Sequence, residues 1–278
     1  IVAILLQPIK EEMLLSDTQL GLLSGLAFAI FYATLGIPIA YLADRMSRKK
    51  IIIASLSLFS IMTFACGLAQ NYVQLLLARI GVGVGEAGTN PPSHAIIADM
   101  YAPSERATPL AVFALGINFG LFVAFLGGGW INDHYGWRTA IQVIALPGLV
   151  LAVIAWFTLR EPPRGMSDEK AVVAAPPMKE TFLLMWRTRS LRHLLIGSTL
   201  IITVGYGAVA WLPSFFIRVH DMSATQVGGM LALMIGIGGG LGTAFGGVLA
   251  DKLGKRDVRW NFWLVGGLGG QPGRLASQ

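Results

Sequence analysis

The chain has 278 residues, of which 54% are hydrophobic and 13% are charged, and its formal net charge is +6 at pH 7. A soluble globular chain carries about 25% charged residues, so this composition excludes a water-soluble fold, which could not bury so much apolar surface. The basic residues lie in short clusters between apolar runs, so the positive charge does not indicate a nucleic-acid partner. We predict an all-α, polytopic membrane helix bundle embedded in the lipid bilayer.

Seven apolar runs follow one another along the chain, and each is longer than the roughly 18 residues needed to cross a hydrocarbon core of about 30 Å. The runs cover residues 18–43, 51–69, 72–98, 108–131, 139–159, 194–217 and 223–250. Residues 1–6 are apolar but too few for a span, and the apolar stretch 262–268 passes into a polar tail. We therefore expect the runs to be helices two to eight of a bundle truncated at both ends.

Lysine and arginine are distributed unequally between the two sides of these spans. The loops after helices two, four, six and eight contain 16 of them, whereas the opposite side contains three, namely Lys10, Arg138 and Arg218. Because basic loops remain in the cytoplasm, the first set of loops is predicted to be cytoplasmic.

One long polar segment separates two groups of spans. Residues 160–193 contain four prolines and charges of both signs, which is typical of a linker. We predict an N-terminal six-helix half at 1–159 with a truncated first helix, this cytoplasmic linker, and a partial C-terminal half at 194–278. Residues 179–192 mix apolar and basic side chains, which favours a helix lying at the membrane interface.

A short sequence repeat relates the two halves. Residues 16–21 (SDTQLG) correspond to residues 223–228 (SATQVG) at an offset of 207 positions, and residues 42–45 (LADR) correspond at the same offset to residues 249–252 (LADK). Two matches at one offset indicate two homologous halves of about six helices. Many transporters are built in this way and bind their solute near the membrane midplane, between the halves.

The loops after helices two and eight carry a related charged motif. Residues 44–49 (DRMSRK) and 247–256 (GVLADKLGKR) resemble the signature G-x3-D-[RK]-x-G-[RK]-[RK] of the major facilitator superfamily. The second copy matches at every position, whereas the first has Ala40 and Ser47 in place of glycine. The resemblance identifies these residues as the motif of a cytoplasmic gate: Asp44, Arg45, Arg48, Lys49, Asp251, Lys252, Gly254, Lys255 and Arg256.

Two further segments resemble the spinster branch of that superfamily. They are residues 79–88, followed by Pro91-Pro92-Ser93, and residues 211–216 (WLPSFF). The resemblance implies a secondary active transporter in a bacterial inner membrane, not an enzyme, that works by alternating access on a small solute without a cofactor. Members of this branch are associated with export of lysophospholipid or sphingosine-phosphate. A lysolipid or another amphipathic substrate is therefore implied, with protons as the candidate coupling ion.

Arg79 and Glu86 are the only charged residues within the seven runs. A charge at a helix centre costs about 2.5 to 3.5 kcal/mol on insertion scales, so such residues normally face a cavity. Their spacing places both on a similar helix face, about 10 Å apart, which is too far for direct pairing. We predict that Glu86 is a protonatable coupling site and that Arg79 attracts an anionic group of the substrate or holds Glu86 ionised. The alternative is a structural ion pair with another helix.

An acid precedes the bases in both copies of the loop motif, which the orientation of the spans does not explain. Asp44 and Asp251 could accept hydrogen bonds from a neighbouring helix N-terminus, while the bases bind a carboxylate on a facing helix end. Asp99 and Glu105, at the cytoplasmic end of helix four, are the candidates for that carboxylate. We predict a cytoplasmic gate, and the alternative is a pair of basic turns that reflect only the topology.

Polar and aromatic residues within the spans could line the cavity, although each also fits a packing role. The candidates are Tyr32, Asn90, Asn118, Gln142, Tyr206 and Trp211. Residues 83–88 match a dinucleotide fingerprint but lie in a membrane run, no nucleotide-binding P-loop occurs, and His94 with Asp99 is an incomplete metal site. The alternative function is a non-transporting membrane receptor or scaffold of the same fold.

Overall fold

A computed structural model describes residues 1–102, 105–167 and 178–254, and the regular secondary structure in this part of the chain is helical. We number its helices in chain order as α1 (Val2–Met13), α2 (Asp17–Ala43), α3 (Arg48–Leu68), α4 (Tyr72–Ala87), α5 (Asn90–Met100), α6 (Ala107–Thr158), α7 (Met178–Arg187), α8 (Arg189–His220) and α9 (224–254). The predicted all-α fold is confirmed. Residues 255–278 of the predicted C-terminal half lie outside the described residues.

Five helical stretches are long and apolar enough to cross a membrane, whereas the sequence predicts seven spans. The five are Asp17–Ala43, Arg48–Leu68, Thr108–Thr158, Arg189–His220 and Ala224–Gly246. The difference arises because the predicted run 72–98 is divided between α4 and α5, while the runs 108–131 and 139–159 are joined in α6.

Proline and glycine determine where these spans are interrupted. After Gly88 and Thr89, α5 begins with Asn90-Pro91-Pro92, and these prolines lack the N–H groups that would continue the helical hydrogen bonds of α4. Inside α6, Gly136 has φ 81° and ψ 163°, which residues with a side chain rarely adopt. Two membrane-length helices therefore meet at Gly136, which lies between the two predicted runs.

The helix at the start of the chain is longer than the apolar run 1–6, because α1 continues to Met13 through polar residues. Four of its apolar side chains are buried in a core that also includes residues of α2, α4, α6 and α9. The largest fully buried members of this core are Ile4, Leu5, Leu6, Ile9, Leu20, Leu23, Leu75, Phe125, Ile141, Val227 and Leu231. The core therefore joins elements of both predicted halves.

The internal repeat has a counterpart in local structure. At the start of α2, the Ser16 hydroxyl accepts a hydrogen bond from the Gln19 N–H at 3.2 Å, and the Gln19 side chain accepts one from the Ser16 N–H at 2.9 Å. At the start of α9, Ser223 and Gln226 form the same pair of bonds at 3.2 and 3.0 Å. Each helix then contains a short π-helical stretch. The matched serines are therefore equivalent helix caps.

The linker and the next span differ from their predicted boundaries. A helix forms within the predicted interfacial segment 179–192, but α7 ends at Arg187 and the residues from Arg189 onward belong to α8. The span that was expected to begin at residue 194 thus extends further toward the cytoplasmic side, because a helix can continue through charged residues once it leaves the hydrocarbon. Apolar residues of α8 such as Val204 are largely exposed, as expected for contact with lipid.

Candidate functional site

Arg79 and Glu86 both lie on α4, but their side chains contact different neighbours. The Arg79 Nε donates a hydrogen bond to the Leu23 carbonyl of α2 at 3.4 Å, and its guanidinium carbon lies 5.3 Å from the centre of the Phe28 ring. The charge of Arg79 is thus held against α2 by one long hydrogen bond and a cation–π contact. Between the described residues, Arg79 forms no ion pair with a carboxylate.

Glu86 lies in the wall of a cavity of about 610 Å³ between α3, α4 and α6. The cavity is lined by Leu56, Phe59, Glu86, Thr89, Val112, Phe113, Gly116 and Ile117. Glu86 is the one charged residue in this lining, and its carboxylate has no hydrogen-bond or ion-pair partner in the described part of the chain. A carboxylate placed in this way is accessible to a mobile partner such as a proton or a solute cation.

Asn90 is connected to Arg79 through two aromatic residues of α2. The Asn90 side-chain amide donates a hydrogen bond to the Tyr32 hydroxyl at 3.4 Å, and the Tyr32 ring stacks on the Phe28 ring with centres 5.6 Å apart. Phe28 is the ring that faces Arg79. The structure therefore brings Arg79, Tyr32 and Asn90 to one contact surface between α2 and the α4–α5 segment. Glu86, which lies between Arg79 and Asn90 in sequence, instead faces the cavity between α3, α4 and α6.

Three other predicted cavity residues lie elsewhere. Asn118 of α6 packs beside Gly239 of α9, Trp211 borders the hydrophobic core, and Tyr206 on α8 is 77% exposed. None of these contacts involves the charged residues of α4. That these side chains share one site with Arg79 and Glu86 therefore stays a prediction.

The first copy of the charged motif forms a buried ion pair. A guanidinium nitrogen of Arg48, at the start of α3, donates to Asp99 near the end of α5, and the other Asp99 oxygen accepts a hydrogen bond from the Gly165 N–H at 3.0 Å. Arg45 points away from this pair and lies over the Tyr41 ring at 4.1 Å. Of the two acids that the sequence suggested, Asp99 is thus the partner of a motif base, and the pair connects two helices of the first half.

Residues 160–167 contact the same end of the bundle as the Arg48–Asp99 pair. The sequence had not indicated a role for them. Glu161 accepts hydrogen bonds from the Ser47 hydroxyl and, at 2.6 Å, from the Arg48 N–H at the start of α3. Partial burial acts to raise the pKa of Glu161, but the hydrogen bonds from Ser47 and the backbone outweigh it and lower this pKa below its ordinary value. Glu161, which follows the end of α6, therefore caps the start of α3, while the capping role of Asp44 stays a prediction.

Arg164 binds the other end of the loop that joins α2 to α3. Its guanidinium donates to the backbone carbonyls of Asp44, of Ala43 at 3.2 Å and of Met46 at 2.8 Å, where α2 ends. A cation at a helix C-terminus stabilises carbonyls that have no partner within the helix. The only sequence signal for this contact was the turn expected at Pro162-Pro163, which does not show what the turn reaches.

The second copy of the motif is only partly described. Asp251, Lys252 and Gly254 lie in the last turns of α9, and their side-chain surroundings are outside the described part of the structure. Lys255 and Arg256 also lie outside the described residues. The contribution of this copy to a gate therefore stays a prediction.

No metal site is formed by the residues that were considered for one. The His94 ring meets the edge of the Phe113 ring at 5.1 Å, and Asp99 is paired with Arg48. Over the described ranges, no group of three or more histidine, cysteine, aspartate or glutamate side chains is placed to hold a metal ion.

Comparisons with known proteins agree with this architecture. The family model of the Major Facilitator Superfamily matches residues 1–271. The chain is 34% identical over 267 residues to an MFS-type efflux pump of Mycolicibacterium smegmatis, covering 95% of this chain and 61% of that protein. It is 29% identical over 269 residues to a cis,cis-muconate transport protein of Acinetobacter baylyi, covering 90% of this chain and 62% of that protein.

A solved structure is similar as well. The crystal structure of a bacterial homolog of the human lysosomal transporter spinster, in an inward-facing and unoccupied conformation, matches with a TM-score of 0.76 and 34% identity. The match covers 92% of this chain and 59% of that structure. The chain thus spans about six tenths of the length of these relatives.

Proposed function

Because this chain belongs to the major facilitator superfamily and is spinster-like, we propose that it acts in secondary active transport of a small organic solute by alternating access. The relatives carry the names of transporters and of an efflux pump, not of enzymes. The matched caps of α2 and α9 support two halves of like construction, as this mechanism requires. The protein is an integral membrane protein, and its similarity to bacterial transporters supports a location in a bacterial inner membrane.

The position of Glu86 is the observation that supports proton coupling. Its carboxylate lies in a largely apolar cavity and has no protein partner among the described residues. A carboxylate of this kind can bind a proton in one conformation and release it in another, and the energy of the proton gradient is then coupled to movement of the solute. A receptor or scaffold of the same fold would have no need for an unpaired acid inside a span.

The surroundings of Glu86 support an amphipathic substrate. Aliphatic and aromatic side chains line most of the cavity, which suits an acyl chain. Arg79 lies outside this lining, on the same helix, and attraction of an anionic headgroup is the role proposed for its charge. The resemblance to the spinster branch, whose members are associated with lysophospholipid export, favours a lysophospholipid. The relative named for cis,cis-muconate shows that an organic anion is transported by a protein of similar sequence.

The test is transport of a labelled lysophospholipid by the protein in proteoliposomes under an imposed pH gradient. We expect the pH gradient to accelerate transport by the wild type. In Glu86→Gln, we expect this acceleration to be at least tenfold smaller. Glu180→Gln removes a carboxylate on the exposed α7 helix and is the matched control, for which we expect no change. An unaltered pH response in Glu86→Gln would exclude the coupling role. Failure of the wild type to move any lysolipid or organic anion would favour the receptor or scaffold function.

A further inference from the structure

Four polar side chains meet at the end of the bundle that is predicted to lie outside the cytoplasm. Arg218, near the end of α8, donates from Nε to Gln7 Oε1 of α1 at 2.5 Å and from Nη2 to Asp17 Oδ1 at the start of α2 at 2.7 Å. The Lys10 Nζ donates to the same oxygen of Asp17 at 2.9 Å. We call Gln7, Lys10, Asp17 and Arg218 the outer cluster.

Only one member of the outer cluster comes from the second half of the chain. Arg218 follows the linker, whereas Gln7, Lys10 and Asp17 precede it, so the bonds of Arg218 cross between the halves while the bond of Lys10 stays within the first. The planar guanidinium presents several N–H groups in a fixed geometry and binds both acceptors at once. Arg218 thus ties α8 to two helices of the first half.

A second contact between the halves lies at the same end. Asp133, in the outer turn of α6, accepts a hydrogen bond from the Thr225 N–H at the start of α9 at 2.7 Å. In the internal repeat, Ala224 occupies the position that corresponds to Asp17, so α9 lacks an acid of its own in the first turn. The carboxylate of Asp133 takes that place at the N-terminus of α9 and comes from the other half.

The polar contacts at the cytoplasmic end are arranged differently. Arg48 pairs with Asp99, Glu161 caps α3, and Arg164 binds the end of α2, and all of these helices belong to the first half. Between described residues, the hydrogen bonds that join the halves therefore lie at the outer end. This agrees with the inward-facing conformation of the similar spinster homolog.

We propose that Arg218 is a positioning residue that holds the outer side of the transport path closed. This inference rests on the proposed alternating access, in which the outer ends of the halves must separate when the site opens outward. Separation breaks both bonds of Arg218. The bond from Lys10 to Asp17 persists, so the Asp17 carboxylate keeps a cationic partner in either conformation and its charge does not oppose opening.

The test measures the distance between the halves in the protein in nanodiscs. Spin labels are attached at Val73 and Val219, each 61% exposed and near the outer end, after replacement of Cys66, the one cysteine of the chain. We expect Arg218→Gln to increase the widely separated population roughly three- to tenfold, the range for loss of a charge-assisted pair that is partly exposed. The control Lys10→Gln removes the other cation that binds the Asp17 carboxylate, but its bond stays within the first half, so this variant should not increase the widely separated population.

Two further measurements separate a gate from general destabilisation. Arg218→Lys should restore part of the closed population, because an ammonium keeps the positive charge but lacks the planar set of N–H donors that binds both acceptors at once. High salt should widen the wild-type distances, because the side chains of Arg218 and Asp17 are 30% and 53% exposed and their attraction is screened. Asp17→Asn serves as a second variant if Arg218→Gln does not fold, and it should also widen the distances.

Unchanged distances in Arg218→Gln and Asp17→Asn, or equal widening in Lys10→Gln, would overturn the proposal. The distances report conformation without any transported solute. Widening in a protein that transports nothing would therefore support the outer gate and count against the proposed function alone.

Discussion

Glycine positions determine how closely α3 and α4 approach each other. A Cβ added at Gly85 would lie 2.5 Å from the Phe59 backbone nitrogen and 2.8 Å from the Phe59 Cα, so the backbone of α3 would have to move. One turn earlier, a Cβ at Gly81 would meet the Met62 side chain at 2.6 Å. Small residues four apart permit this contact between membrane helices, and it holds the helix that carries Arg79 and Glu86 in place.

We expect Gly85→Ala to destabilise the protein by about 1–3 kcal/mol, the usual cost of inserting a methylene or methyl group into a tight contact. The measurement is the thermal unfolding midpoint in detergent. Gly120→Ala is the matched control, since a Cβ at Gly120 meets nothing within 4 Å and alanine is the better helix former. Equal midpoints for the two variants would show that α3 and α4 can separate without cost.

The charged residues of α4 show which part of the site could be predicted. Their presence within an apolar run and their spacing followed from the sequence, and both side chains lie on one helix. The groups that surround them could not be predicted from the sequence. The Leu23 carbonyl and the Phe28 ring lie beside Arg79 only because of the way α2 crosses α4.

At the scale of elements, the 160–167 segment connects the ends of several helices at the side that is predicted to be cytoplasmic. Glu161 caps the start of α3, Arg164 binds the end of α2, and the Ser167 hydroxyl donates to the Ala98 carbonyl near the end of α5 at 2.6 Å. Backbone groups at helix ends have no partners within their own helices, and this segment supplies several of them. The start of the predicted linker is therefore a structural part of the first half.

The lowered pKa of Glu161 predicts a pH-dependent contribution to stability. A carboxyl whose pKa is lower in the folded state stabilises that state above its unfolded pKa of about 4.3, and this contribution is lost as the pH falls through the folded value. We expect Glu161→Gln to lower the unfolding midpoint at pH 7 and to match the wild type in strong acid. Glu180→Gln should follow the wild type at every pH, and a Glu161→Gln deficit that persists unchanged in acid would contradict the assignment.

At the scale of the whole molecule, the unequal distribution of basic residues predicts its orientation. Sixteen lysines and arginines lie in one set of loops and three in the other, so the end that holds Arg48 and Glu161 should be cytoplasmic and the outer cluster should face the opposite side. The similarity to an inward-facing structure agrees with halves that meet away from the cytoplasm.

Single cysteines test this orientation in a chain that lacks Cys66. We expect a cysteine at Tyr135, which is 64% exposed beside the break in α6, to react with a membrane-impermeant maleimide in intact cells. A cysteine at Glu180 on α7 should react only in inside-out vesicles. The reverse pattern would place the outer cluster in the cytoplasm and remove the basis for an outer gate.

The sequence by itself determined the helical membrane class and the equivalent helix starts at Ser16 and Ser223, whereas several span boundaries differ from the predicted ones. These properties are local, because they depend on the length of an apolar run and on side chains within one helical turn. The tertiary structure decided which of the two candidate acids binds Arg48, namely Asp99, 51 positions away. It alone identified Gln7 as a partner of Arg218, 211 positions away. Pairs so distant in sequence are set by helix crossings, which arise from the packing of many side chains at once and cannot be derived from any one segment.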